Sequence, residues 1–146
     1  MALPLISIIT VCFNSEKYIR TAIGSVLNQN YPDIEYIIVD GASKDNTIEI
    51  IKKYADRIQT FISEPDKGIY DAMNKGLKAA TGDILCTLNS DDFYLHNNII
   101  SEVAAHFNKN SPDCTHADII YVDQTDINKI VRYWKSSEYY KGAFKK

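Results

Sequence analysis

Asp83-Ile84-Leu85-Cys86-Thr87-Leu88-Asn89-Ser90-Asp91-Asp92 joins an apolar run of strand character to two adjacent carboxylates. A sheet of parallel strands takes its ligand outside the carboxyl ends of the strands, so an acidic cluster directly after an apolar run is what such a sheet predicts. Neighbouring carboxylates repel each other and raise each other's proton affinity, and a divalent cation is the natural way to keep both ionised. The pair does not decide the matter alone, because Ser-Asp-Asp also makes an ordinary turn or helix start.

Working outward, apolar runs rich in β-branched residues alternate with segments of helical period, the pattern of a parallel sheet flanked by helices. Strand one is read over Leu5 to Cys12. The helix after it carries Ile19, Ala22, Ile23, Val26 and Leu27 on one face, with Asn14 or Ser15 as its cap. Pro32-Asp33 turns the chain into strand two, Glu35 to Val39, and helix two follows with Ile48, Ile51 and Ala55 as its buried stripe. Strand three is Ile58 to Ile62. Pro65-Asp66-Lys67-Gly68 then opens a third helix on Ile69, Ala72, Met73, Gly76, Leu77 and Ala80, and Thr81-Gly82 ends it before strand four at Asp83. A fourth helix spans about Asn98 to Phe107. Ile119 to Val122 and Ile130 to Trp134 then flank a polar turn as a hairpin, and the tail from Glu138 to Lys146 has no clear period.

The length of 146 residues fits one domain able to bury a core without disulfide or metal staples, and 45% hydrophobic with 24% charged residues is globular composition. A net charge of −3 gives no electrostatic case for nucleic acid. The opening run from Leu3 to Phe13 is broken by Pro4 and Ser7 and is too short to span a bilayer; it reads as a buried strand. Cys12, Cys86 and Cys114 are odd in number and widely spaced, which favours reduced core thiols of a cytosolic protein over a disulfide or zinc site.

Three predicted strand ends carry polar clusters: Phe13-Asn14, Asp40-Gly41-Ala42-Ser43 and Asn89 to Asp92. Adjacent strands lie about 4.8 Å apart, so these clusters can converge on one nucleotide-sized ligand. Asp40 can accept a hydrogen bond from a base N–H or ribose hydroxyls, or it can simply start a turn with Gly41. Phe13 can stack on a base or belong to the core. No Gly-x-Gly-x-x-Gly follows strand one, and no Gly-x-x-x-x-Gly-Lys-Ser/Thr occurs, which argues against dinucleotide oxidoreductases and P-loop phosphotransferases. His96, His106 and His116 lack zinc-site spacing.

Four blocks in order resemble the nucleotide-sugar half of an inverting family 2 glycosyltransferase of the GT-A fold. They are Ile8-Ile9-Thr10-Val11-Cys12-Phe13-Asn14, the Ile37-to-Thr47 segment, Glu64-Pro65-Asp66-Lys67-Gly68-Ile69-Tyr70-Asp71-Ala72-Met73-Asn74-Lys75-Gly76, and Leu88-Asn89-Ser90-Asp91-Asp92. The third block resembles bacterial enzymes that build exopolysaccharide, capsule or O-antigen. The resemblance implies an α/β GT-A domain over residues 1–146 with a C-terminal hairpin, lacking the acceptor-side segment. It implies a hexosyltransferase-like enzyme taking a UDP-sugar, with Val11 and Phe13 bordering the base and Asp40 holding its N3–H. Asn14, Lys67, Asp71, Asn89 and Ser90 are implied to line the nucleotide, with Asp66 and Asn74 beside the crevice. Asp91 would face the ribose or a bound Mn²⁺ or Mg²⁺, with Asp92 the principal metal ligand. The family's Asp-x-Asp begins here with Asn89, which leaves fewer charged ligands.

The implied chemistry is direct displacement at the anomeric carbon by a hydroxyl of a glycan or lipid-linked acceptor, through an oxocarbenium-like state. It implies a cytoplasmic protein that can contact the inner membrane face peripherally, and leaves sugar, acceptor and oligomeric state open. The general base is expected beyond Lys146, so the chain reads as a donor-binding portion with weak or absent turnover. The alternative is a catalytically incomplete nucleotide-binding or assembly module of the same fold. A nucleotidyltransferase would need a glycine-rich basic loop where Phe13-Asn14-Ser15-Glu16 stands, and a signalling receiver would need an acidic pair after strand one.

Overall fold

A computed structural model describes residues 3–137, so the tail from Glu138 to Lys146 lies outside the described residues. The chain forms two compact units, one through Asn110 and one from Ser111 onward. The first runs β1 (Ile6–Cys12), α1 (Ile19–Leu27), β2 (Ile34–Asp40), α2 (Thr47–Lys52), β3 (Thr60–Ser63), α3 (Ile69–Ala79), β4 (Ile84–Asn89) and α4 (Ile99–Asn110). Its four strands are all parallel in the order β3-β2-β1-β4, which brings Cys12 level with Asp40, and Val11 level with Asn89.

Every residue of β1 is buried because it is an interior strand covered on both faces. Alternation of side chains sends Ile6, Ile8 and Cys12 to one face, where they meet Ile19, Ile23, Tyr36, Ile38, Ile51 and Ile100. Ile9 and Val11 point the other way, to Ile37, Val39 and Ala72. The helix α3 covers this second face closely: a Cβ on Gly76 would stand 2.4 Å from Ile9 Cγ2. At the amino ends of the strands, Glu35 accepts hydrogen bonds from Ser7 Oγ, from Thr81 N at 2.8 Å and from Thr81 Oγ1 at 2.8 Å. Ser7 Oγ in turn accepts from Gly82 N at 2.8 Å, so one carboxylate fastens the entries to β1, β2 and β4.

Several expectations are corrected. The second helix stops at Lys52, and Ala55 opens an exposed 3₁₀ turn, Ala55–Arg57, instead of extending the buried stripe. Strand β3 starts two residues later than expected, at Thr60. Neither Asn14 nor Ser15 caps α1 through its side chain; the Ser15 carbonyl accepts from Tyr18 N and Ile19 N instead. Ile69 and Leu77 are exposed, whereas Ala72 and Gly76 are the buried residues of α3.

The second unit contains the hairpin β5 (Ile119–Val122) and β6 (Ile130–Trp134), antiparallel and with the expected limits. Asp123 Oδ1 accepts from Thr125 N at 2.9 Å and so closes the turn. The Arg132 guanidinium lies over the rings of Tyr121 and Trp134, 5.5 Å and 5.6 Å from their centroids. Asp118 braces the strand ends by accepting from Tyr133 Oη and from Ser136 N, which hold its carboxyl below the usual range.

Candidate nucleotide-binding cleft

The carboxyl ends of the parallel strands open onto a cleft of about 560 Å³. Its floor and walls are Val11, Cys12, Phe13, Tyr18, Ile69 and Ala72, and its polar margin includes Asn14, Ser15, Asp66, Asn89, Ser90 and Asp91. Val11 is buried at the end of the interior strand, while Phe13, one residue past the strand, is 60% exposed. An exposed aromatic ring in the cleft is a side chain on which a planar ligand can stack. The size suits a small-molecule pocket with apolar walls and a few convergent polar groups.

The loops are held by side-chain bonds to backbone. Asn14 adopts φ 49°, and its N–H donates to Ser43 Oγ at 2.8 Å while its Oδ1 accepts from Lys44 N at 2.9 Å. Ser15 N donates to Thr47 Oγ1 at 2.7 Å, and Glu16 N to Asp45 Oδ2 at 3.1 Å. Ser15 Oγ lies 2.9 Å from Ser90 Oγ, which ties the β1 loop to the β4 loop. The cleft is therefore braced from three strand ends, a preorganised arrangement for binding.

Of the candidate residues, Val11, Phe13, Asn14, Asn89, Ser90 and Asp91 line one cleft. Asp92 lies beside it: its N–H donates to Asn89 O at 3.1 Å and its carboxylate accepts from Asn89 Nδ2 at 3.2 Å. Desolvation, then the charge of Asp91, pushes the Asp92 carboxyl above its ordinary range. That is the electrostatic state a cation relieves. Asp40 does not line the cleft: it is 0% exposed, with its oxygens turned to Ser43, Ser63 and Cys12. Lys67 is exposed and outside the lining, and Asp71 Oδ2 accepts from Lys67 N at 3.0 Å in the first turn of α3. Lys75 Nζ sits 3.0 Å from Glu64 and 3.7 Å from Asp71, so these groups shape the loop before α3.

Sequence reasoning passed over Cys12, Tyr18 and Ile69 as cleft residues. Helical periodicity put Ile69 on the buried stripe of α3, yet the first turn of that helix overhangs the strand ends and makes the residue a wall. Among the described residues, no three His, Cys, Asp or Glu side chains converge as a self-sufficient metal site. The pair Asp91 and Asp92 suits a cation whose remaining ligands are phosphate oxygens and water, the usual form of magnesium sites at nucleotides. Among the described residues no helix is long and apolar enough to cross a membrane.

Comparison with known proteins bears on the fold and the family. The chain is 37% identical over 126 residues to an uncharacterized glycosyltransferase of Haemophilus influenzae, covering 84% of this chain and 50% of that protein. It is 33% identical over 124 residues to a PGL/p-HBAD biosynthesis glycosyltransferase of Mycobacterium bovis, covering 82% and 48%. The chain thus spans about half the length of these relatives. S. aureus TarS 1–349, solved in complex with UDP-GlcNAc, superposes with a TM-score of 0.70 at 28% identity over 75% of this chain and 32% of that one. A mannosyltransferase from Pyrobaculum calidifontis, solved with GDP-Man and Mn²⁺, shares the fold with a TM-score of 0.67 at 22% identity, over 88% of this chain and 38% of that one. The fold is thus the GT-A fold expected from the sequence. The profile of the family described as glycosyl transferase family 2 matches residues 7–146, and the chain belongs to that family.

Proposed function

We propose that this chain binds a UDP-sugar in the strand-end cleft and serves a metal-dependent, inverting transfer of the sugar to a glycan or lipid-linked acceptor. The observation that carries this reading is the joint lining of one cleft by Phe13 after β1 and by Asn89 to Asp91 at the end of β4. A nucleotide laid between them has its base by the aromatic ring and its diphosphate by the acidic turn. The TarS complex with UDP-GlcNAc supports the choice of donor class.

Asp91 and Asp92 would hold Mn²⁺ or Mg²⁺, which when bound supplies Lewis-acid stabilisation of the leaving diphosphate. The side chains of the cleft do the positioning. Val11 and Phe13 exclude water from the base, Asn14 and Ser15 hold the loop beneath the ribose, and Asn89 and Ser90 set the turn that presents the acids. Positioning of this kind can supply a large part of a barrier reduction by removing the entropy of encounter. Inversion follows if the acceptor hydroxyl displaces the diphosphate in one step from the opposite face of the sugar.

A calorimetric and thermal-shift panel of UDP, GDP, ADP and CMP with Mn²⁺, Mg²⁺ or chelator tests the reading. UDP with Mn²⁺ should stabilise the chain most, and Asp92→Ala should abolish the metal-dependent part of the shift. Absence of any metal-dependent nucleotide effect in the wild-type chain overturns it.

A further inference from the structure

We propose that Ser15 is a positioning residue for the acidic turn: through its hydroxyl it holds Ser90, and with it Asp91 and Asp92, in the arrangement that receives a cation-bound diphosphate. This inference rests on the cleft being a nucleotide site as argued above, and it concerns how the acids are held.

The backbone of Ser15 is committed to two helices. Its N–H donates to Oγ1 of Thr47, the first residue of α2, at 2.7 Å, and its carbonyl accepts from Tyr18 N at 3.0 Å and Ile19 N at 2.9 Å, where α1 begins. Thr47 is itself fully buried, with its N–H held by Asp45 Oδ1 at 3.0 Å. Ser15 is therefore a fixed point, and only its hydroxyl is left to reach the neighbouring strand end. That Oγ lies 2.9 Å from Ser90 Oγ and 3.3 Å from the Phe13 carbonyl. One O–H and two lone pairs serve both contacts at once if Ser90 donates to Ser15 and Ser15 donates to Phe13 O.

The acidic turn has no comparable anchor of its own. Asp92 N donates to Asn89 O at 3.1 Å and Asn89 Nδ2 to Asp92 Oδ2 at 3.2 Å, but both bonds join residues of the turn and travel with it if it swings. Asn89 ends β4, which is an edge strand of the four-stranded sheet and has a neighbour there on one side only. Among the described residues, Ser15 supplies the one side-chain hydrogen bond that ties residues 90–92 to another element. Adjacent carboxylates repel, so a turn hinged only at its strand would spread them when no cation lies between. The hydroxyl pair opposes that spread, and less order has to be imposed when metal and diphosphate arrive. Ser15 also follows Phe13 by two residues, so the same bond links the loop beside the base to the turn beside the phosphates.

Titration calorimetry of UDP with Mn²⁺ and with chelator tests this in the wild-type chain, Ser15→Ala, Ser90→Ala, the double variant and Ser90→Thr. Mn²⁺ should tighten UDP binding to the wild type. Each alanine variant should cut that tightening about twofold to tenfold, the scale of one hydrogen bond, and leave the affinity in chelator unchanged. Because the two hydroxyls act as one unit, the double variant should lose no more than either single variant. Ser90→Thr keeps the hydroxyl and should restore the wild-type value. Ser90 is half-buried, so its two variants carry the test if Ser15→Ala does not fold. Losses that are equal with Mn²⁺ and with chelator, that add in the double variant, or that persist in Ser90→Thr overturn the inference, as does an unchanged tightening in Ser90→Ala, and all of these leave the nucleotide site standing. A wild-type chain whose UDP affinity is the same with Mn²⁺ and with chelator overturns the metal turn and this inference with it.

Discussion

Ala42 takes φ 62°, a left-handed conformation that costs a residue with a Cβ about 1 kcal/mol. The hydrogen bond from Ser43 N to Asp40 Oδ2 holds the turn there, so strain is kept at the loop that braces the cleft. Ala42→Gly should relieve it, and once the greater entropy of unfolded glycine is subtracted the net change should be a gain of at most about 0.5 kcal/mol. A melting temperature that falls would show that the turn is unstrained. The thiols should differ as sharply. Burial first, and then the Asp40 charge and hydrogen bond, push the Cys12 thiol far above its ordinary range, whereas Cys114 is exposed. Iodoacetamide followed by mass spectrometry should label Cys114 early and leave Cys12 unmodified in the folded chain, because the thiolate is the nucleophile. The buried state of Asp40 could have been read from alternation, since Tyr36, Ile38 and Asp40 are every second residue of one strand and the first two belong to the core.

The pattern of the strands was legible because β-branched runs buried on both faces leave little ambiguity, and β1, β2 and β4 fall within a residue of their expected starts. The helices were legible in existence more than in extent. In α3 the apolar stripe is wider than the contact: the sheet meets Ala72 and Gly76, Leu77 sits at the margin, and Ile69 projects past the strand ends into the cleft. Periodicity reports which side of a helix faces inward, but not where the sheet beneath it stops. Two of the three expected strand ends, those of β1 and β4, line the cleft, whereas the cluster Asp40 to Ser43 at the end of β2 stands behind it and the approach of Asp66 to Gly41 depends on a contact between loops apart in sequence. The approach of α3 to Ile9 yields a test in which two effects oppose. Gly76→Ala gains about 1 kcal/mol of helix propensity, yet its methyl would lie 2.4 Å from Ile9 Cγ2. Overpacking against a buried side chain typically costs about 1 to 3 kcal/mol, so urea denaturation should show a net loss of up to about 2 kcal/mol. A gain in stability would mean that helix and sheet separate without cost.

The parallel sheet divides its labour between its two ends, with the cleft at the carboxyl ends and the Glu35 clasp at the amino ends. Burial alone would raise the Glu35 carboxyl, but hydrogen bonds from Ser7, Thr81 and Gly82 outweigh it and hold the group below its ordinary value of 4.5. The unfolded chain therefore binds this proton more readily than the folded one. The stabilisation is fully present above about pH 4.5 and is lost as pH falls through the lower folded value. Glu35→Gln keeps the shape but loses the charge, and at pH 7 it should cost about 1 kcal/mol, the scale of charge-assisted hydrogen bonds that are partly open to water. Urea titrations of both proteins at pH 7 and pH 3 should show the gap between them closing in acid. At pH 7 and 25 °C the variant should bind UDP with Mn²⁺ as the wild type does, because the clasp lies a full strand length from the cleft. A gap that persists at pH 3 would assign the stabilisation to packing of the side chain instead of to its charge, and a loss of UDP affinity would show that the two ends of the sheet are mechanically coupled.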